Sequence, residues 1–119
     1  MTTLNIFRNA TDVLSYTAGQ TIFEAGAPGD IMYVVQEGIV DIMIAGRIID
    51  TTEPGGIIGE MALISDKPRS AAAVAKTDCK LVPIDEKRFT FLVQQTPYFA
   101  IQVMRVIAER LRRYMEAVT

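Results

Sequence analysis

The chain has 119 residues, half of them apolar, with a formal net charge of −2, one cysteine and no histidine. A chain of this length forms one domain and buries about two thirds of its unfolded surface, so a core can form without disulfides. Its near-neutral charge argues against a disordered tail or a general polyanion binder. The missing histidines exclude His-based metal sites and the Ser-His-Asp and Cys-His catalytic pairs.

Glycine punctuates the first half, at positions 19, 26, 29, 38, 46, 55, 56 and 59, and is absent afterwards. Between these turns lie the apolar runs VLSYT, QTIFEAG, DIMYVVQEG, IVDIMIAG and RIIDTTEP, and later SAAAVA and KLVPID. Short strands spaced this way predict a mainly β domain, a sandwich, roll or barrel. DIMYVVQ and IVDIMIA are apolar on both faces and belong in the middle of a sheet, whereas Pro83 marks an edge or a bulge. Cys79 reads as a small core hydrophobe.

After Ile84 the pattern turns helical. Asp85 is placed to cap a helix with Glu86 in its first turn, and Thr96-Pro97 starts a second helix that runs to the end. Ala100, Met104, Ile107, Leu111, Tyr114 or Met115, and Val118 recur on it at spacings of three and four. That apolar stripe is expected to pack partly on the β domain and, in its C-terminal half, on a second copy of the chain. No run approaches the about 18 apolar residues of a membrane span, since Asp41, Arg47 and Asp50 interrupt the most apolar region. The N-terminus also lacks a basic-then-apolar signal pattern, so a soluble cytoplasmic protein with no membrane partner is expected.

The stretch GGIIGEMALISDKPRSAAAV, residues 55–74, sets one carboxylate and one guanidinium, Glu60 and Arg69, among small and apolar residues. Burying either charge unpaired is costly. Its glycines let backbone N–H groups approach a ligand, and EMALI can form a short helix whose N-terminus favours an anion. Arg69 supplies a planar fork for phosphate oxygens, while Glu60 can accept from hydroxyl groups. A sugar phosphate carries both.

The run Gly59-Glu60-Met61-Ala62-Leu63 followed by Pro68-Arg69-Ser70-Ala71 resembles the phosphate-binding cassette of the cyclic nucleotide-binding domain family. Upstream, YTAGQTIFEAGAPGDIMYVVQEGIVDI is similar to that family's strand-turn-strand entry. The resemblance implies a β-roll, a jelly-roll-like double-stranded roll, with C-terminal helices. It implies one domain over residues 1–119: a roll over about 12–84 with its cassette at 55–74, and helices over 85–118. It assigns Glu60 to a ribose 2′-hydroxyl and Arg69 to the cyclic phosphate, with Gly59, Met61, Ala62, Ser70 and Ala71 lining the pocket. The last helix would supply a lid for the base, with Arg110, Arg112, Arg113 and Tyr114 available.

A non-enzymatic receptor for cAMP or cGMP is therefore expected, signalling through movement of the last helix, with no metal and no cofactor besides that ligand. The stretch TTLNIFRNAT, Thr2 to Thr11, stands where the family usually carries a longer helical segment, and no helix-turn-helix is read after the last helix, so direct DNA binding is not expected. The competing expectation is an interaction or structural domain with an orphan pocket, in which Glu60 and Arg69 pair with each other or with neighbours.

Overall fold

The computed structural model describes residues 5–65 and 67–117. A 3-10 turn at Asn5–Phe7 leads into strands β1 (Leu14–Tyr16), β2 (Thr21–Phe23), β3 (Ile31–Glu37), β4 (Val40–Ile44), β5 (Arg47–Thr52) and β6 (Ile57–Ile58). Helix α1 (Met61–Ile64), strands β7 (Ala72–Ala75) and β8 (Cys79–Asp85), and helices α2 (Glu86–Gln95) and α3 (Tyr98–Ala117) follow. The strands form two antiparallel four-stranded sheets, ordered β1-β8-β3-β6 and β2-β7-β4-β5. This is the expected β-roll with C-terminal helices.

Strands β3 and β4 are interior, as their two apolar faces require. Successive β3 side chains point to opposite faces and enter different cores. Met32 and Val34 pack with Phe7, Ile57, Val82, Ile84, Phe99, Val103 and Val106 beneath the helices. Tyr33 and Val35 pack with Val40, Ile58, Ala73, Ala75, Cys79 and Leu81 in the other cluster. Cys79 is buried there, and burial pushes its thiol above the ordinary value.

Three expectations need correction. Strand β6 was not foreseen; two residues inside a glycine-rich stretch carry no period, and pairing of Ile57 and Ile58 with Val34 and Tyr33 makes them a strand. Pro83 lies in an interior strand, paired with Tyr33, and the bulge falls elsewhere, between Val35 and Glu37. Proline is tolerated because β1 pairs with β8 only as far as Leu81, leaving Pro83 with a neighbour on one side. On α3 the buried residues are Phe99, Val103 and Val106, none of them in the expected stripe, of which Ala100 and Ile107 are half-buried and Met104 is exposed; Leu111 and Met115, in the half expected to meet a second copy, are exposed in the single chain. Val118 lies outside the described residues.

Helix α2 begins as read: the Asp85 carboxylate accepts from the Arg88 backbone N–H at 2.8 Å. Thr96 and Pro97 open α3, their carbonyls accepting from the amides of Phe99 and Ala100. Among the described residues no helix is long and apolar enough to cross a membrane.

Candidate functional site

Strand β6 delivers the chain to Gly59, whose φ of 70° turns it into α1, and the return through Pro68 and Arg69 enters β7. Between this segment and α3 lies a cavity of about 470 Å³. Ile42, Ile44 and Ile49 from β4 and β5 form one wall, and Ile107, Arg110, Leu111 and Tyr114 of α3 form another. The rest is the segment itself: Gly59, Glu60, Met61, Ala62, Arg69, Ser70 and Ala71 all line the cavity. The resemblance to the family's cassette had assigned these seven to one pocket. Of the lid candidates, Arg110 and Tyr114 line it; Arg112 and Arg113 face a neighbouring groove instead.

Arg69 is fixed by backbone. Its Nη1 donates to the Gly59 carbonyl at 3.1 Å and its Nη2 to the Ile31 carbonyl at 2.8 Å. The guanidinium lies over the Phe23 ring, 4.1 Å from the centroid, a cation–π arrangement. The segment's backbone is anchored too, with Gly26 N–H donating to Arg69 O and Arg69 N–H to Ala27 O. Burial lowers the guanidinium pKa from its ordinary value. Neither Phe23 nor the Ile31 carbonyl was foreseen as part of the site, because residues 23, 31 and 69 meet only once the two sheets close on each other.

Glu60 is 7% exposed. It does not pair with Arg69; Arg110 Nη1 donates to its Oε1, and Arg110 Nη2 donates to the Ile57 carbonyl at 2.8 Å. Arg110 Nε also lies 3.3 Å from Asp50 Oδ2 on β5, which Arg113 Nη2 approaches at 3.2 Å. Tyr114, one turn beyond Arg110, has its hydroxyl pKa raised, chiefly by burial and then by Asp50. The site thus offers a cation among apolar walls, a buried carboxylate and a tyrosine at the mouth, a set that suits an anionic, hydroxyl-bearing ligand with a flat apolar part. Among the described residues no cluster of histidine, cysteine or acids is arranged to hold a metal ion.

The family model described as cyclic nucleotide-binding domain matches residues 13–96, which hold both sheets and the whole segment between β6 and β7. The chain belongs to the cyclic nucleotide-binding domain family. Among its relatives in that family, the cAMP-dependent protein kinase regulatory subunit of Aspergillus fumigatus is 39% identical over 88 residues, 71% of this chain and 21% of that protein. The corresponding subunit of Eremothecium gossypii is 40% identical over 83 residues, 70% of this chain and 18% of its own length. The chain therefore spans about a fifth of these regulatory subunits.

Solved cyclic nucleotide-binding folds superpose closely. The Thermus thermophilus catabolite activator protein matches with a TM-score of 0.76 and 29% identity, over 91% of this chain and 54% of that one. A structure from work on a cyclic-GMP-dependent signalling pathway regulating bacterial phytopathogenesis matches with a TM-score of 0.77 and 28% identity, over 92% of both chains.

Proposed function

We propose that this domain is a non-enzymatic receptor for a cyclic purine nucleotide, cAMP ahead of cGMP, and that occupancy is transmitted by movement of α3. The observation that carries this reading is a single cavity lined by both Glu60 and Arg69 and otherwise walled by isoleucines and α3. Its volume lies within the range of small-molecule pockets. Arg69 takes the cyclic phosphate, Glu60 accepts from the ribose 2′-hydroxyl, and the backbone and side chains of Gly59, Met61, Ala62, Ser70 and Ala71 enclose both. The base lies against the apolar wall with Arg110 and Tyr114 at the mouth. The named relatives are cAMP-dependent kinase regulatory subunits, which supports cAMP, and the cyclic-GMP-related structure keeps cGMP in the comparison.

A second reading, an interaction domain with an orphan pocket, is favoured by one fact. Glu60 already has Arg110, and two of the Arg69 guanidinium nitrogens already have carbonyls, although its Nε is buried without a hydrogen-bond partner. Isothermal titration with cAMP, cGMP and 5′-AMP, after removal of any nucleotide carried through purification, separates the two. Saturable binding of one cyclic nucleotide is expected, with a loss in Arg69→Ala of roughly 30-fold to a few thousand-fold, the effect of stranding a buried phosphate charge. No heat with any of the three, or undiminished binding by Arg69→Ala, would overturn the receptor reading.

A further inference from the structure

Strand β5 reads RIIDTT, and Asp50 stands where its neighbours Ile48 and Ile49 are apolar. Its side chain is only 8% exposed although the strand is at the edge of its sheet. Both oxygens are engaged: Oδ1 accepts from the Thr51 backbone N–H at 2.9 Å, and Oδ2 faces Arg110 and Arg113 at 3.3 and 3.2 Å. A carboxylate this deep is tolerated only with such partners. Both arginines come from α3, three residues apart on one face of the helix.

The other end of α3 is held differently. Its buried residues are Phe99, Val103 and Val106, and none lies beyond them. Ile107 still packs against the core, but beyond it every described residue except half-buried Glu109 and Arg110 is exposed, and there Asp50 receives two of the polar contacts that hold the helix over the cavity. Arg110 then carries the link from β5 to Glu60 and the Ile57 carbonyl.

We infer that Asp50 is a positioning residue of the nucleotide site: through Arg110 and Arg113 it latches the C-terminal half of α3 over the cavity and sets how Arg110 holds Glu60. This inference rests on the receptor reading for its effect on affinity. Without Asp50, Arg110 keeps Glu60 as its acidic partner and turns fully toward it, competing with a ligand hydroxyl while the helix loses its hold on β5.

The experiment is a double-mutant cycle of Asp50→Asn with Arg110→Ala, read by titration with cAMP and by hydrogen exchange over residues 107–117 in the free protein. Asp50→Asn is expected to weaken binding roughly 5- to 150-fold, the usual span of such couplings, and to speed exchange in that segment. In the Arg110→Ala background, where only the Arg113 arm of the latch is left to lose, it should cause a clearly smaller further loss of affinity. Unchanged affinity and exchange in Asp50→Asn would overturn the inference, as would a full additional loss in the Arg110→Ala background. If the wild type binds no cyclic nucleotide, the receptor reading fails, and the exchange comparison still decides whether the latch exists. Should Asp50→Asn not fold, Arg113→Ala removes the half-exposed arm of the latch, and unchanged exchange there would overturn it.

Discussion

Arg69 reaches its two carbonyls through space that Gly29 leaves open. A Cβ built at Gly29 would stand 2.6 Å from the Arg69 Cζ, closer than real side chains approach, and no positive φ requires glycine there. Space, rather than backbone freedom, is what fixes this residue. Gly29→Ala is expected to push the guanidinium aside and weaken cyclic nucleotide binding by about 10- to 100-fold, the value of one charged hydrogen bond, with little change in thermal midpoint. Gly46→Ala reverses the pattern. With φ of 77° and no atom within 4 Å of an added Cβ, it should lower stability by about 1 kcal/mol and leave affinity unchanged. Titration and thermal unfolding of both variants check the pair. At this scale Glu60 and Arg69 were legible because charges among glycines and alanines break the local apolar pattern. Gly29 and Asp50 were not, because their partners lie 40 and 60 positions away, in elements whose packing no local period encodes.

The elements themselves were legible where local chemistry decides them and ambiguous where two faces compete. Asp85 and Thr96-Pro97 fixed the helix starts, and the two-faced apolar run over Ile31–Glu37 fixed an interior strand. Helix α3 carries two apolar stripes, one through Phe99, Val103 and Val106 and one through Ile101, Met104, Leu111 and Met115. Both recur every three or four residues, so period alone cannot say which is buried. Tertiary packing chose the first because Phe99 meets Phe7 and Phe89, with ring centroids 6.1 and 5.4 Å apart. That contact ties the 3-10 turn, α2 and α3 into one unit. Phe99→Ala is expected to cost about 3–5 kcal/mol, as a fully buried aromatic does, read as a lowered denaturant midpoint.

For the molecule as a whole, the receptor reading makes the second α3 stripe the surface to test for an effect of binding elsewhere. Ile101, Met104, Leu111 and Met115 are 39 to 59% exposed, and with Ala108 they follow the alternating three-four spacing of a helix-pairing seam. The sequence led to the expectation that the C-terminal half of this helix meets a second copy of the chain, and this seam is where that expectation is tested. Leu111 belongs to both surfaces, since it also lines the cavity. A ligand that repositions α3 must then change how two copies fit. Linkage makes the effect reciprocal: whatever factor the nucleotide contributes to pairing, pairing contributes to nucleotide affinity. Sedimentation velocity is expected to show a monomer–dimer equilibrium that shifts on saturation with cAMP, and titrations well below and above the dimer midpoint should differ in affinity by the matching factor. Met104→Glu combined with Met115→Glu places charges in the seam without touching the cavity. It should yield a monomer of unchanged thermal midpoint whose affinity no longer depends on protein concentration. A monomeric wild type at all concentrations, or a dimer whose midpoint ignores the nucleotide, would show that α3 reports occupancy to some surface other than its own copy.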